Sequence, residues 1–144
     1  MKELVEMMKK LLATNFSLYL KAHNFHWNVT GVEFPQYHEF FGKIYGELFA
    51  ATDLIAEEIR QLNAFAPGSL TRFKELSLIP DETNVSSAPE MVKILKKDNK
   101  TILDLLTKLY YLAEETKQHG LCNFIQDRIM AHNKLNWMLS STSK

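Results

Sequence analysis

The chain has 144 residues, 46% hydrophobic and 24% charged, with Lys plus Arg and Asp plus Glu balanced at 17 each. This composition predicts a single globular domain over residues 1–144 and excludes a disordered chain. Zero net charge argues against a strongly electrostatic nucleic-acid binder, the single Cys122 excludes an internal disulfide framework, and no apolar run is long enough to span a bilayer.

The first residues, Met1 to Glu6, include acids and lack the apolar run of a signal peptide, so cytoplasm is the expected location. Leu4, Met8, Leu11, Leu18 and Ala22 form a helical stripe with Tyr19 beside it, and the stripe stops near Val29-Thr30-Gly31. Pro35 suits the first turn of a second helix that carries Phe41, Tyr45, Leu48, Ile55, Ile59 and Leu62, with Thr52 as the polar member of the series. A turn-rich break follows at Asn63, Pro67, Gly68 and Ser69. A short helix capped by Ser69 then turns Leu70, Phe73 and Leu76 inward.

Ile79 to Asn84 reads as loop. Ser87-Ala88-Pro89-Glu90 is a capping box that opens a third long helix with Met91, Leu95, Ile102, Leu105, Leu106, Leu109 and Leu112. Gly120 is expected to break it. A fourth long helix holds Phe124, Ile125, Ile129, Leu135, Trp137 and Met138, and the polar tail from Ser140 is expected to fray. The four long helices predict an all-α four-helix bundle. Short turns make helices one and two, and three and four, antiparallel. The roughly 25 residues between helices two and three need structure of their own, which is the ferritin-like connection.

Candidate ligands lie along the first two long helices. His26 continues the first apolar stripe, and His38 opens the second helix. Counting about 100° per residue from His38, Asp53 falls near 60° and Glu57 near 100°, so the three share a face. Imidazole with carboxylate and no thiolate favours iron or manganese. His38 and Asp53 are fifteen residues apart, roughly 22 Å along one helix, while metal–ligand bonds are about 2 Å. Either the groups are unrelated, or two antiparallel chains share sites, each giving histidines to the other's acids. Gly42, Gly46 and Ala50 recur every four residues between the two ends. Their small size suits a second backbone or a bulky side chain, and close packing within one bundle explains them equally well.

The run His26-Trp27-Asn28-Val29-Thr30-Gly31, then Phe34, His38 and Phe41, then Asp53-Leu54-Ile55-Ala56-Glu57, resembles the Dps family of mini-ferritins. The resemblance continues through Leu70 to Ser77 and ends in His132, Lys134, Trp137 and Met138. It implies a ferritin-like four-helix bundle with a short helix in the long crossover, assembled as a hollow homo-dodecamer. It also implies ferroxidase sites at two-fold interfaces: His26 and His38 match the histidines, Asp53 and Glu57 the acids from a neighbour, and Trp27 the tryptophan beside the site. Iron(II) is the implied metal, hydrogen peroxide or dioxygen the oxidant, and stored iron(III) mineral the product.

Departures from the family pattern are also visible. Gly42 stands where the family usually has an acid four residues after the second histidine, and Glu39 lies about 100° round the helix from it. Glu58 replaces a frequent arginine. Gly120-Leu121-Cys122-Asn123, which matches the family's acidic pore, lacks acids, though Glu114, Glu115 and Asp127 flank it. Lys2, Lys9 and Lys10 make a thin basic surface, so DNA binding has little support. A shell with an impaired centre, acting by binding metal or coating DNA, is the alternative reading. His23, His119 and His132, Cys122 and the methionines read as structural or solvated groups.

Overall fold

A computed structural model describes residues 1–143. Five helices follow one another: α1 (Lys2–Asn28), α2 (Phe34–Gln61), α3 (Leu70–Leu76), α4 (Ala88–Glu115) and α5 (His119–Thr142). Among the described residues there is no strand. The long helices run antiparallel within each pair. α1 packs on both α2 and α4, and α4 on α5, so α2 lies diagonally across from α4. Leu4, Met8, Leu11, Leu18, Ala22 and Phe25 of α1 meet Phe41, Leu48, Ile55 and Ile59 of α2, and Met91, Leu95, Ile102, Leu106 and Leu109 of α4. This is the all-α bundle with a short crossover helix that the apolar periodicity predicts.

Local chemistry sets the ends of the elements. The Ser69 and Ser87 hydroxyls accept hydrogen bonds from the backbone N–H groups of Arg72 and Glu90, satisfying donors the helices leave free. Pro35 and Pro89 occupy first turns. α2 and α4 both stop in Schellman turns, with Asn63 at φ 64° and Lys117 at φ 57°. In each the following N–H reaches back into the helix, Ala64 to Ile59 and Gln118 to Ala113.

The crossover is tied down along its length. The Leu78 N–H donates to Thr14 at 3.0 Å, and Lys21 Nζ donates to the Pro80 carbonyl and to Asp98, both at 2.6 Å. Lys21 and Asp98 are almost wholly buried. One ion pair thereby joins α1, the crossover and α4.

Four local expectations need correction. The break between the last two long helices lies at Lys117, and Gly120 sits inside the first turn of α5. The polar tail does not fray: α5 runs to Thr142, whose hydroxyl donates to the Met138 carbonyl. Lys144 lies outside the described residues. Leu70 points outward, 74% exposed, because α3 is only seven residues long and rests on α1 by its other side. Trp137 is 64% exposed and is not part of the core.

Candidate metal centre

The turn between α1 and α2 is short, so the last turn of α1 lies against the first turns of α2. His26 and His38 meet there. Their rings stack with centroids 3.7 Å apart and planes 17° apart. His26 Nδ1 lies 2.6 Å from the backbone carbonyl oxygen of His38, and His38 Nδ1 lies 2.7 Å from that of His26. A carbonyl only accepts, so each Nδ1 carries the hydrogen. When such a ring is neutral its proton is held on Nδ1, and Nε2 keeps the lone pair that a divalent transition metal takes.

Aromatic rings brace this pair. Phe34 stacks on His38, centroids 4.9 Å apart, and Tyr45 presents an edge to His26 at 5.1 Å. Gly42 leaves the room that His26 occupies: a Cβ at position 42 would stand 3.1 Å from both Cε1 and Nδ1 of that ring. The glycine is therefore spent on close packing within the chain. A Cβ at Gly46 would meet nothing within 4 Å, and Ala50 is exposed.

His23, one turn earlier, is not part of the pair. It lies between Tyr45, stacked at 3.8 Å, and Trp27 at 3.9 Å, with the Tyr19 hydroxyl 3.1 Å from its Nδ1. Desolvation, reinforced by His26, holds its pKa below the usual histidine range. Sequence reasoning missed Tyr19 and Tyr45 as neighbours of the centre. The signal was there, since Tyr19 precedes His23 by four residues and Tyr45 follows His38 by seven.

Asp53 and Glu57 do not reach the histidines of their own chain. Both are exposed, farther along α2. Among the described residues no three His, Cys, Asp or Glu side chains come together to hold a metal. Glu39 lies beside Lys43 at 3.7 Å and is largely exposed. Glu58 is partly covered, and burial pushes its carboxyl up. Large apolar side chains flank these exposed groups: Trp27 is 58% exposed, Phe49 61% and Leu54 51%.

The remaining candidates have other occupations. His132 is buried, its Nδ1 donating to Asn99 Oδ1 at 2.6 Å while Arg128 donates to its Nε2 at 3.1 Å. Burial, then the Arg128 charge, pushes its pKa down to about 3. Arg128 also forks onto Glu47 at 2.6 and 2.7 Å, and this pairing lowers the Glu47 carboxyl. Neither ring nitrogen of His132 is free for a metal. His119 is exposed. Cys122 is half-buried, with burial and then Glu114 raising its thiol.

A Ferritin-like domain family model matches residues 5–144. The chain belongs to the ferritin-like family. Antigen TpF1 of Treponema pallidum is 32% identical over 141 residues, covering 96% of this chain and 79% of the antigen. The crystal structure of Dps from Staphylococcus aureus superposes with a TM-score of 0.96 at 27% identity, covering 100% of this chain and 97% of that one. A Dps protein from Vibrio cholerae O1, described as a member of a broad superfamily of ferritin-like diiron-carboxylate proteins, has a TM-score of 0.96 at 28% identity, with 99% of this chain and 90% of that one covered. Within the ferritin-like family the chain thus resembles the Dps branch along its whole length. Among the described residues no helix is long and apolar enough to cross a membrane.

Proposed function

We propose that this chain is an iron-oxidising, iron-storing mini-ferritin whose metal sites form between two copies. The reciprocal lock between His26 and His38 carries the reading. It fixes two imidazoles in one tautomer with both Nε2 atoms free, an arrangement that a merely structural histidine pair does not need. The missing oxygen donors are Asp53 and Glu57 of a second copy packed antiparallel. The exposed Trp27, Phe49 and Leu54 are the apolar surface such a contact would cover. A two-fold axis gives each pair of copies two equivalent sites, and the resemblance to Dps proteins supports a closed homo-dodecamer, with cytoplasm as the expected location.

Iron(II) is the substrate. The histidines and carboxylates hold it in place, and the carboxylates also favour the iron(III) product by charge. The oxidant, hydrogen peroxide in preference to dioxygen, takes up the electrons. The iron(III) hydrolyses, releases protons and is stored as mineral inside the shell. Removing iron(II) and peroxide together limits oxidative damage.

Gly42 gives the centre one carboxylate fewer than the family pattern, so we assign one strong iron position per site and a weaker second. Anaerobic iron(II) titration followed by peroxide tests both statements. The expected result is one tight equivalent per subunit and oxidation faster than in a protein-free solution. Tight binding without accelerated oxidation would make the chain a metal-binding shell instead.

A further inference from the structure

Beside the metal centre lies a cluster of oxidisable rings, and one of them has a base at hand. Tyr19 and His23 stand four residues apart on α1, so their side chains meet on one face. The Tyr19 oxygen lies 3.1 Å from His23 Nδ1. Among the described residues that phenol has no other acceptor, so it donates its hydrogen to Nδ1 and the imidazole holds its own on Nε2. Tyr45 and Trp27 pack on His23 at 3.8 and 3.9 Å. Among the described residues neither has a base within hydrogen-bond reach. Tyr110 donates to Glu114 at 3.3 Å, but it lies on α4, outside this cluster.

Short ring-to-ring steps lead from Tyr19 to His26. Centroids are 6.3 Å apart from Tyr19 to Tyr45 and 5.1 Å from Tyr45 to His26. By way of His23 the steps are 5.6 and 6.0 Å. Gaps this small between π systems let an electron pass readily. Tyr19 is half-buried, with Phe16 at 5.6 Å and Phe49 at 5.2 Å, whereas Trp27 is 58% exposed. A covered ring that has lost an electron meets fewer outside reactants than an exposed one.

We propose that Tyr19 supplies the second electron when peroxide is reduced at the one strong iron position, its phenol proton moving to His23 Nδ1. The inference rests on the iron reading above. Peroxide takes two electrons and two protons to become two waters, whereas one iron(II) gives one electron. Without a second donor, the O–O bond breaks to hydroxide and a hydroxyl radical. Tyr19 gives the missing electron through the rings, and its proton crosses the hydrogen bond to His23. Two protons from solvent complete the waters. The products are iron(III), two waters and a neutral tyrosyl radical beside a protonated His23. The next iron(II) returns an electron to Tyr19, and the proton returns from His23. In sum, two iron(II), one peroxide and two protons give two iron(III) and two waters. Tyr19 touches neither iron nor peroxide; it acts through its neighbours.

The test uses the intact assembled protein. Iron(II) is added below one equivalent per subunit, so that no further iron(II) refills Tyr19, and peroxide follows in excess. Electron paramagnetic resonance of freeze-quenched samples is expected to show a neutral tyrosyl radical. Tyr19→Phe is expected to lose that signal with iron(II) affinity unchanged, and to raise the yield of hydroxyl-radical spin adducts. Tyr111→Phe, at an exposed position of α4, is expected to keep the signal. His23→Gln accepts a hydrogen bond but not a proton, and is expected to lose the signal as well. Circular dichroism and elution volume check the fold, and if Tyr19→Phe does not assemble, His23→Gln decides. A second arm removes iron with a chelator and oxidises the protein with photogenerated ruthenium(III) tris-bipyridine. The tyrosyl absorbance there is expected to fall in Tyr19→Phe. An iron and peroxide sample without a tyrosyl radical, a radical unchanged in Tyr19→Phe, or a tryptophan radical in its place would overturn the proposal. So would an iron-free radical indifferent to Tyr19→Phe. Accelerated iron oxidation without a Tyr19 radical overturns this proposal alone. Iron oxidation no faster than in protein-free solution defeats the iron reading and this proposal with it.

Discussion

His26 and His38 each donate the Nδ1 hydrogen to the backbone carbonyl of the other, at 2.6 and 2.7 Å. Deleting one ring leaves the other its hydrogen bond to a backbone carbonyl but removes the ring stacked on it at 3.7 Å, and both rings would serve the same metal. His26→Ala and His38→Ala are each expected to slow peroxide-driven iron(II) oxidation at least about tenfold, with the double variant little worse than either. Initial rates from iron(III) absorbance check this. Rates equal to wild type in the double variant would remove the histidines from the reaction.

Sites shared between copies have a distinctive signature. Copies carrying His26→Ala with His38→Ala, and copies carrying Asp53→Asn with Glu57→Gln, are each expected to be inactive alone. Randomly mixed in one assembly they rebuild about a quarter of the sites, because half the pairs are mixed and each mixed pair has one intact site of two. Activity that stays at zero in verified mixed assemblies would place the acids elsewhere.

Gly42 is constrained by the His26 ring. Gly42→Ala gains helix propensity of up to about 1 kcal/mol, yet its Cβ would press on His26 at 3.1 Å. The expected outcome is weaker iron(II) binding with the helical content kept. Titration of the variant beside wild type decides it, and unchanged affinity would show that His26 yields freely.

The buried Lys21–Asp98 pair holds the crossover to the bundle. Burial pushes the Asp98 carboxyl up against the opposing pull of Lys21. Lys21→Met leaves that carboxylate without its cation and is expected to cost about 3 to 5 kcal/mol of stability, much of it regained by adding Asp98→Leu. Urea unfolding at fixed protein concentration measures both. Equal stability of Lys21→Met and wild type would show the pair to be dispensable.

Acid sensitivity is expected from His132. The unfolded histidine binds a proton near pH 6.5, whereas the folded one resists it down to about 3. Its contribution is therefore complete above about 6.5 and is lost progressively as pH falls toward about 3, at up to about 1.4 kcal/mol per unit. Glu47, lowered by Arg128, adds loss in the same direction once carboxylates titrate. Asp98, raised by burial, acts the opposite way there. Urea midpoints at about pH 7.5 and 5.5 are expected to differ in wild type and to draw closer in His132→Gln, the remainder belonging to His23, whose pKa is also lowered. An undiminished difference in the variant would assign the acid sensitivity to other groups.

Lys117 occupies a left-handed position at φ 57°, where a side chain is strained and glycine is not. The sequence reading put the break at Gly120 because glycine is the usual stop. The chain stops at Lys117 instead, since the Schellman bonds of Lys117 and Gln118 to Glu114 and Ala113 form there. Local preference had nothing to say about which bonds would close. Leu70 and Trp137 were misjudged for a related reason: periodicity identifies an apolar side chain but not whether a neighbouring helix lies over it.

Apolar spacing in the sequence was sufficient for the four long helices, because a 3.6-residue repeat has one way to bury its stripe, and connection lengths were sufficient for their pairing and the crossover. Fifteen residues between His38 and Asp53 were also sufficient to separate histidines from acids, because helix rise is fixed. Tertiary structure alone decided the rest. The His26–His38 lock uses backbone carbonyls, and the Gly42 packing and the His23–Tyr45 stack join side chains from two helices. Lys21 reaches Asp98 across 77 positions. Such contacts depend on how two helices rotate against each other, which the pattern along either one leaves free.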